Sequence, residues 1–161
     1  FSINKMTENM TLYNNRSGLH GTNVCFLMYD EEREQLLIMY SDGKMDIQYN
    51  GTMHYISDLY NKYIDGFITI FNSRIKAPKA DKNRPDILVI CDDVAILKDL
   101  DLNIIGSILY GDYILGNVII GCSGYFNGEP DIVGFETKTD AIKFMEILQM
   151  HYEVIKDREK K

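Results

Sequence analysis

The apolar residues of this chain change period along its length, and that change limits the fold more than any other feature of the sequence. Met45, Ile47 and Tyr49 alternate with polar residues, which is the period of a half-buried strand. Ile56, Leu59, Tyr60, Tyr63 and Ile64 recur at i, i+3, i+4, i+7 and i+8, one face of a helix, and His54, Ser57, Asp58, Asn61 and Lys62 take the other face. Thr52 stands where a helix N-cap belongs, and Gly66 where a helix ends. The helical period returns at Ala141, Met145, Leu148, Tyr152 and Ile155, widened by Ile142, Phe144 and Ile147, after Thr137 or Thr139 as a cap.

Strand signals fill the space between. Val24–Tyr29 and Leu36–Tyr40 are short apolar runs, and Asp42-Gly43 marks a tight turn into the alternating strand. Phe67–Phe71 follows the first helix. Ile87–Cys91 is a continuous run rich in branched residues, as expected of a central strand covered on both faces. Residues 94–102 are compatible with a strand pair or a turn of helix. Tyr113–Ile120 has strand character, residues 121–131 form a loop turning at Asn127-Gly128, and residues 132–135 suit a short edge strand. Runs of strands with two segregated helices predict an α+β fold: a mixed, mainly antiparallel sheet with two amphipathic helices packed on it. The expected organisation is an irregular leader over residues 1–22, one domain over 23–156, and a frayed polar tail over 157–161.

Composition narrows the functional classes. With 45% hydrophobic and 25% charged residues over 161 positions, the chain can bury a core without disulfides or metals. A net charge of -7 argues against direct nucleic-acid binding. The one basic cluster, Arg74, Lys76, Lys79, Lys82 and Arg84, shares its stretch with Pro78 and Pro85 and suits a solvated loop. No apolar run is long enough to cross a membrane. Phe1–Lys5 lacks the basic-then-apolar order of a signal peptide. Three cysteines without metal spacing suit buried thiols in a reducing compartment, so a cytoplasmic protein is expected.

The middle of the chain also carries a resemblance. Its pieces are Leu36–Tyr49, Tyr60–Ile70 with Gly66, Ile87–Asp93 with Cys91, Leu100-Asp101-Leu102-Asn103, and Tyr113–Gly121. In that order they resemble a family of small bacterial, plasmid and phage proteins known as domain of unknown function 3846, over about residues 36–148. Ile104 stands where that family has a basic residue, and the leader through Glu34 falls outside the match. The resemblance implies an accessory protein of a mobile element or its host. It brings no activity with it.

Three groups of residues are candidates for a site. Asp92, Asp93, Asp99 and Asp101 follow the central strand, where carboxylates hold Mg²⁺ or share a proton if they converge; otherwise they keep the loop in water, with Lys98 among them to neutralise the charge. Asn103, flanked by apolar residues, suits a buried hydrogen-bonding role or a ligand contact. Tyr49, Tyr55, Tyr60, Tyr63, Tyr110, Tyr113 and Tyr125 include candidates for a half-wet interface, with Tyr55 beside His54. No glycine spacing supports nucleotide binding, and no cofactor is expected. The reading that follows is a non-enzymatic protein-binding or inhibitor domain of a mobile element or its bacterial host, engaging a protein partner through an acidic face or a tyrosine-bearing surface, with a homodimer as an admissible assembly. The alternative is a small phosphoester hydrolase or nucleotide-binding domain with its site around Asp92, Asp93 and Asn103.

Overall fold

A computed structural model describes residues 24–30, 35–40, 45–50, 64, 66–76, 86–126, 128–135 and 137–159. The strands are β1 (Val24–Asp30), β2 (Gln35–Tyr40), β3 (Met45–Asn50), β4 (Ile68–Asn72), β5 (Ile87–Asp92), β6 (Val118–Phe126) and β7 (Glu129–Val133). Among the described residues the helices are α1 (Ile104–Tyr110) and α2 (Lys138–Glu159). The fold is α+β, as the periodicity predicts. Its seven-stranded sheet has the order β3-β2-β1-β6-β5-β4, with β7 paired to β6.

The sheet is mixed at a single seam. β1 runs parallel to β6, with Val24 opposite Val118 and Phe26 opposite Ile120; every other pair is antiparallel. β6 is the central strand. β5 lies on one side of it, while β1 takes its first residues and β7 its last on the other. Between β6 and β7, Gly128 has φ +80, the left-handed turn expected of Asn127-Gly128.

One face of the sheet carries Ile87, Val89, Cys91, Val118, Ile120 and Cys122, which pack with Ile104, Ile105, Ile108 and Leu109 of α1 and Ala141, Phe144 and Leu148 of α2. Ile90 and Ile119 point to the opposite face and are fully buried as well, so β5 is covered on both sides. Thr137 caps α2, its Oγ1 accepting from the Asp140 N–H at 3.1 Å.

Several segments differ from expectation: residues 113–117, expected in a strand, precede β6, and the last strand is Glu129–Val133 where residues 132–135 are expected. Residues 104–110 form a helix where none is predicted, because every residue from Ile104 to Leu109 is buried and the helix shows no polar face. β6 runs on to Phe126, where a loop is predicted after Gly121. Gly124 serves close approach there: a Cβ at this position would lie 2.6 Å from Val133 Cγ2. The predicted leader over residues 1–22 and nearly all of the predicted helix over residues 52–64 lie outside the described residues. Gly66, at that helix's expected end, has φ +126.

Candidate functional site

The last residue of β5 organises the region. Asp92 is buried, and its carboxylate is engaged at both oxygens. Oδ1 accepts from the Val94 N–H at 2.9 Å, closing a local turn, and Oδ2 accepts from Lys98 Nζ at 2.7 Å. Lys98 Nζ also donates to the Ile64 carbonyl at 3.3 Å, and the Asp93 N–H donates to the Phe67 carbonyl at 3.0 Å. The turn is thereby tied to the segment that enters β4. Helix-like bonds from Leu97 and Lys98 to the Val94 carbonyl complete it, and Asp99 closes it with φ +54.

Asn103 performs a parallel task at α1. It is 1% exposed. Its Oδ1 accepts from the Gly106 N–H at 2.8 Å, and its Nδ2 donates to the Gly116 carbonyl at 2.8 Å. Ser107 Oγ donates to the Asn103 carbonyl at 2.7 Å and accepts from the Ile114 N–H at 3.0 Å. The Leu102–Leu115 bridge and the Gly116 N–H to Asp101 carbonyl bond close the loop around the helix.

These braces hold a surface between them. An open depression of about 590 Å³ is lined by Asp92 and Asp93, by Phe71 and Cys91 of the sheet, and by Tyr110 and Tyr113. Phe71 and Tyr110 meet edge to face, with ring centroids 4.8 Å apart. At its border Ile96 is 81% and Leu97 86% exposed. Aliphatic side chains so open, on a turn so tightly bonded, form a displayed apolar patch.

The acidic cluster of the sequence does not converge. Asp92 and Asp93 line the depression, whereas Asp99, Asp101 and Asn103 do not. Asp99 and Asp101 are exposed. Among the described residues, no group of three His, Cys, Asp or Glu side chains is placed to hold a metal. His54 and Tyr55 lie outside the described residues. Tyr110 and Tyr113 belong to the tyrosine set named from sequence. Ile96 and Leu97 were missed, although an apolar pair inside an otherwise charged segment, Asp92 to Asp101, is a signal of sorts.

Cys91 lines this depression, and its surroundings hold its thiol protonated. Burial, then the neighbouring Asp92 and Asp93 carboxylates, pushes its thiol from 9.0 up to about 12. At pH 8 its thiolate is far scarcer than that of an unperturbed thiol, so iodoacetamide labelling of Cys91 should be much slower in the folded chain than in urea. Linkage has a matching sign. The native state keeps this proton up to about pH 12 while the unfolded chain loses it near 9, so this contribution to stability is intact below pH 9 and is lost as pH rises from there towards 12. Mass-spectrometric labelling and urea melts across that range check both.

A protein-family model described as the TSS9, PorZ, N-terminal beta-propeller domain matches residues 1–71. The match spans less than half of the 161 residues. No curated protein and no solved structure matches the chain. The matched stretch takes in Leu36–Tyr49 and Tyr60–Ile70, on which the resemblance to domain of unknown function 3846 began, and it overturns that resemblance. Those pieces are apolar runs and turn residues that many β-rich chains share. The mobile-element setting, with its phage or plasmid origin and inhibitor role, falls with it, and so does the hydrolase alternative. The matched family is a type IX secretion component associated with the cell envelope, which also overturns the cytoplasmic expectation. Among the described residues, no helix is long and apolar enough to cross a membrane.

Proposed function

We propose that this chain is a protein-interaction domain that docks a partner on the patch formed by Ile96, Leu97, Tyr110 and Tyr113. The observation that carries this reading is the exposure of Ile96 and Leu97, at 81% and 86%, on a turn fixed by the ion pair of buried Asp92 with the partly exposed Lys98. A rigid turn loses little entropy on binding, and aliphatic groups beside tyrosines give an interface an anchor that is cheap to desolvate. In this reading Asp92 and Asn103 brace the surface, while Asp93, which lines the depression, favours a partner with a basic residue at that point. Similarity over residues 1–71 to a secretion component agrees with work inside a protein assembly at the cell envelope.

The test uses the full chain as bait against the envelope fraction of its source cell, with Ile96→Glu/Leu97→Glu as comparison. Because both side chains are exposed, the double variant should stay within about 0.5 kcal/mol of the parent in a urea melt. The specifically captured protein should be lost with it. An unchanged set of captured proteins would refute the proposal. So would loss of self-association alone, read by light scattering, because it would replace the partner with a second copy of the chain.

A further inference from the structure

A second groove shares no lining residue with the patch just described, and its charge is opposite to that of the chain. Arg74, His151 and Arg158 stand around a floor that includes Ile108, Met150 and Val154, in a space of about 600 Å³ between the segment after β4, the end of α1 and the last turns of α2. Met150 is 66% and Val154 48% exposed. No carboxylate lines the groove among the described residues. Asp112, close by in sequence, turns its Oδ1 to the Tyr113 N–H at 2.7 Å. Neither Arg74 nor Arg158 forms an ion pair among the described residues.

Arg74 is also held in place. Its backbone N–H donates to the Leu109 carbonyl at 3.0 Å, and its side chain lies across Gly111, where a Cβ would sit 1.9 Å from Nη1. Gly111 has φ +89, so the backbone there already favours glycine. In a chain of net charge -7, open apolar side chains flanked by cations with no anion against them among the described residues form a complementary surface for one chemistry. We infer that this groove binds an acidic peptide segment of a partner protein, with apolar side chains on Met150 and Val154 and carboxylates on Arg74 and Arg158.

The test is fluorescence anisotropy of the full chain with two labelled helical peptides of equal length, one of Glu and Leu, the other of Lys and Leu. The acidic peptide should bind and weaken at high salt, while the basic one should not bind. Arg74→Glu/Arg158→Glu should weaken the acidic peptide at least tenfold. Met150→Asp, which touches an exposed position and keeps the fold, should weaken it too. Ile96→Glu/Leu97→Glu should leave it unchanged, which separates this groove from the docking patch. Equal binding of both peptides, indifference to the arginine reversal, or binding of phosphatidylglycerol vesicles in place of the peptide would each overturn the inference.

Discussion

Phe144→Ala should destabilise the chain by about 3–5 kcal/mol, the usual cost of emptying a fully buried aromatic site. Phe144 is 0% exposed and stands at the middle of the buried stripe of α2, between Ala141 and Leu148, which are also 0% exposed. Its ring lies 6.1 Å from that of Phe135, which follows β7, so one side chain joins the long helix to the last strand of the sheet. The site is walled by helix and sheet and cannot collapse easily, which puts the loss in the upper part of the range. Phe144→Leu keeps most of the volume and should cost about 1–2 kcal/mol. Met150→Ala, on the same helix but exposed, should change stability by less than about 0.5 kcal/mol. Urea unfolding followed by circular dichroism measures all three. A small loss for Phe144→Ala would mean that α2 does not pack where the core places it.

Asn103→Ala should cost about 2–4 kcal/mol, the sum of two separable losses. The first is the cap. Without Oδ1 the Gly106 N–H loses its partner at the start of α1. The second is the bridge from Nδ2 to the Gly116 carbonyl, which is left buried and unanswered. Substitution can tell them apart. Asn103→Ser retains a capping oxygen but cannot reach across the loop, so its cost should lie between those of the parent and the alanine variant. Asn103→Asp keeps the cap but sets an oxygen against the Gly116 carbonyl, and should be worse than serine. The order parent, serine, aspartate in melting temperature is the expected result. Serine and alanine melting together would mean that the bridge matters and the cap does not.

The elements legible in the sequence are those whose two sides differ. β2 and β3 flank a turn signal, β5 is a continuous run covered on both faces, and α2 has a buried stripe over a polar back. α1 was illegible for the opposite reason. Buried from Ile104 to Leu109, it has no polar side to give a period, and its isoleucines favour strand by local preference. The extension of β6 was hidden by Gly121 and Gly124, which suggest a break, although Gly124 admits the close approach of Val133. At the site, the position of Asp92 at a strand end and the neutralising part of Lys98 were both visible in the order of residues. The orientation of Ile96 and Leu97 was not, because an exposed aliphatic and a buried one share the same letter. The family resemblance failed because apolar runs and turns carry no chemistry that would separate one family from another.

Amide hydrogen exchange in Asp92→Asn, residue by residue along the turn, tests most directly whether that carboxylate is a brace beneath a displayed surface. The substitution weakens the bond to Lys98 while keeping an oxygen for the Val94 N–H. The account predicts that the Leu97 and Lys98 amides exchange about tenfold faster, equivalent to about 1.4 kcal/mol of local stability, while Val89 and Ile90 in β5 keep their protection. Unchanged exchange at Leu97 and Lys98 would contradict it, since the surface would then be held by something other than Asp92.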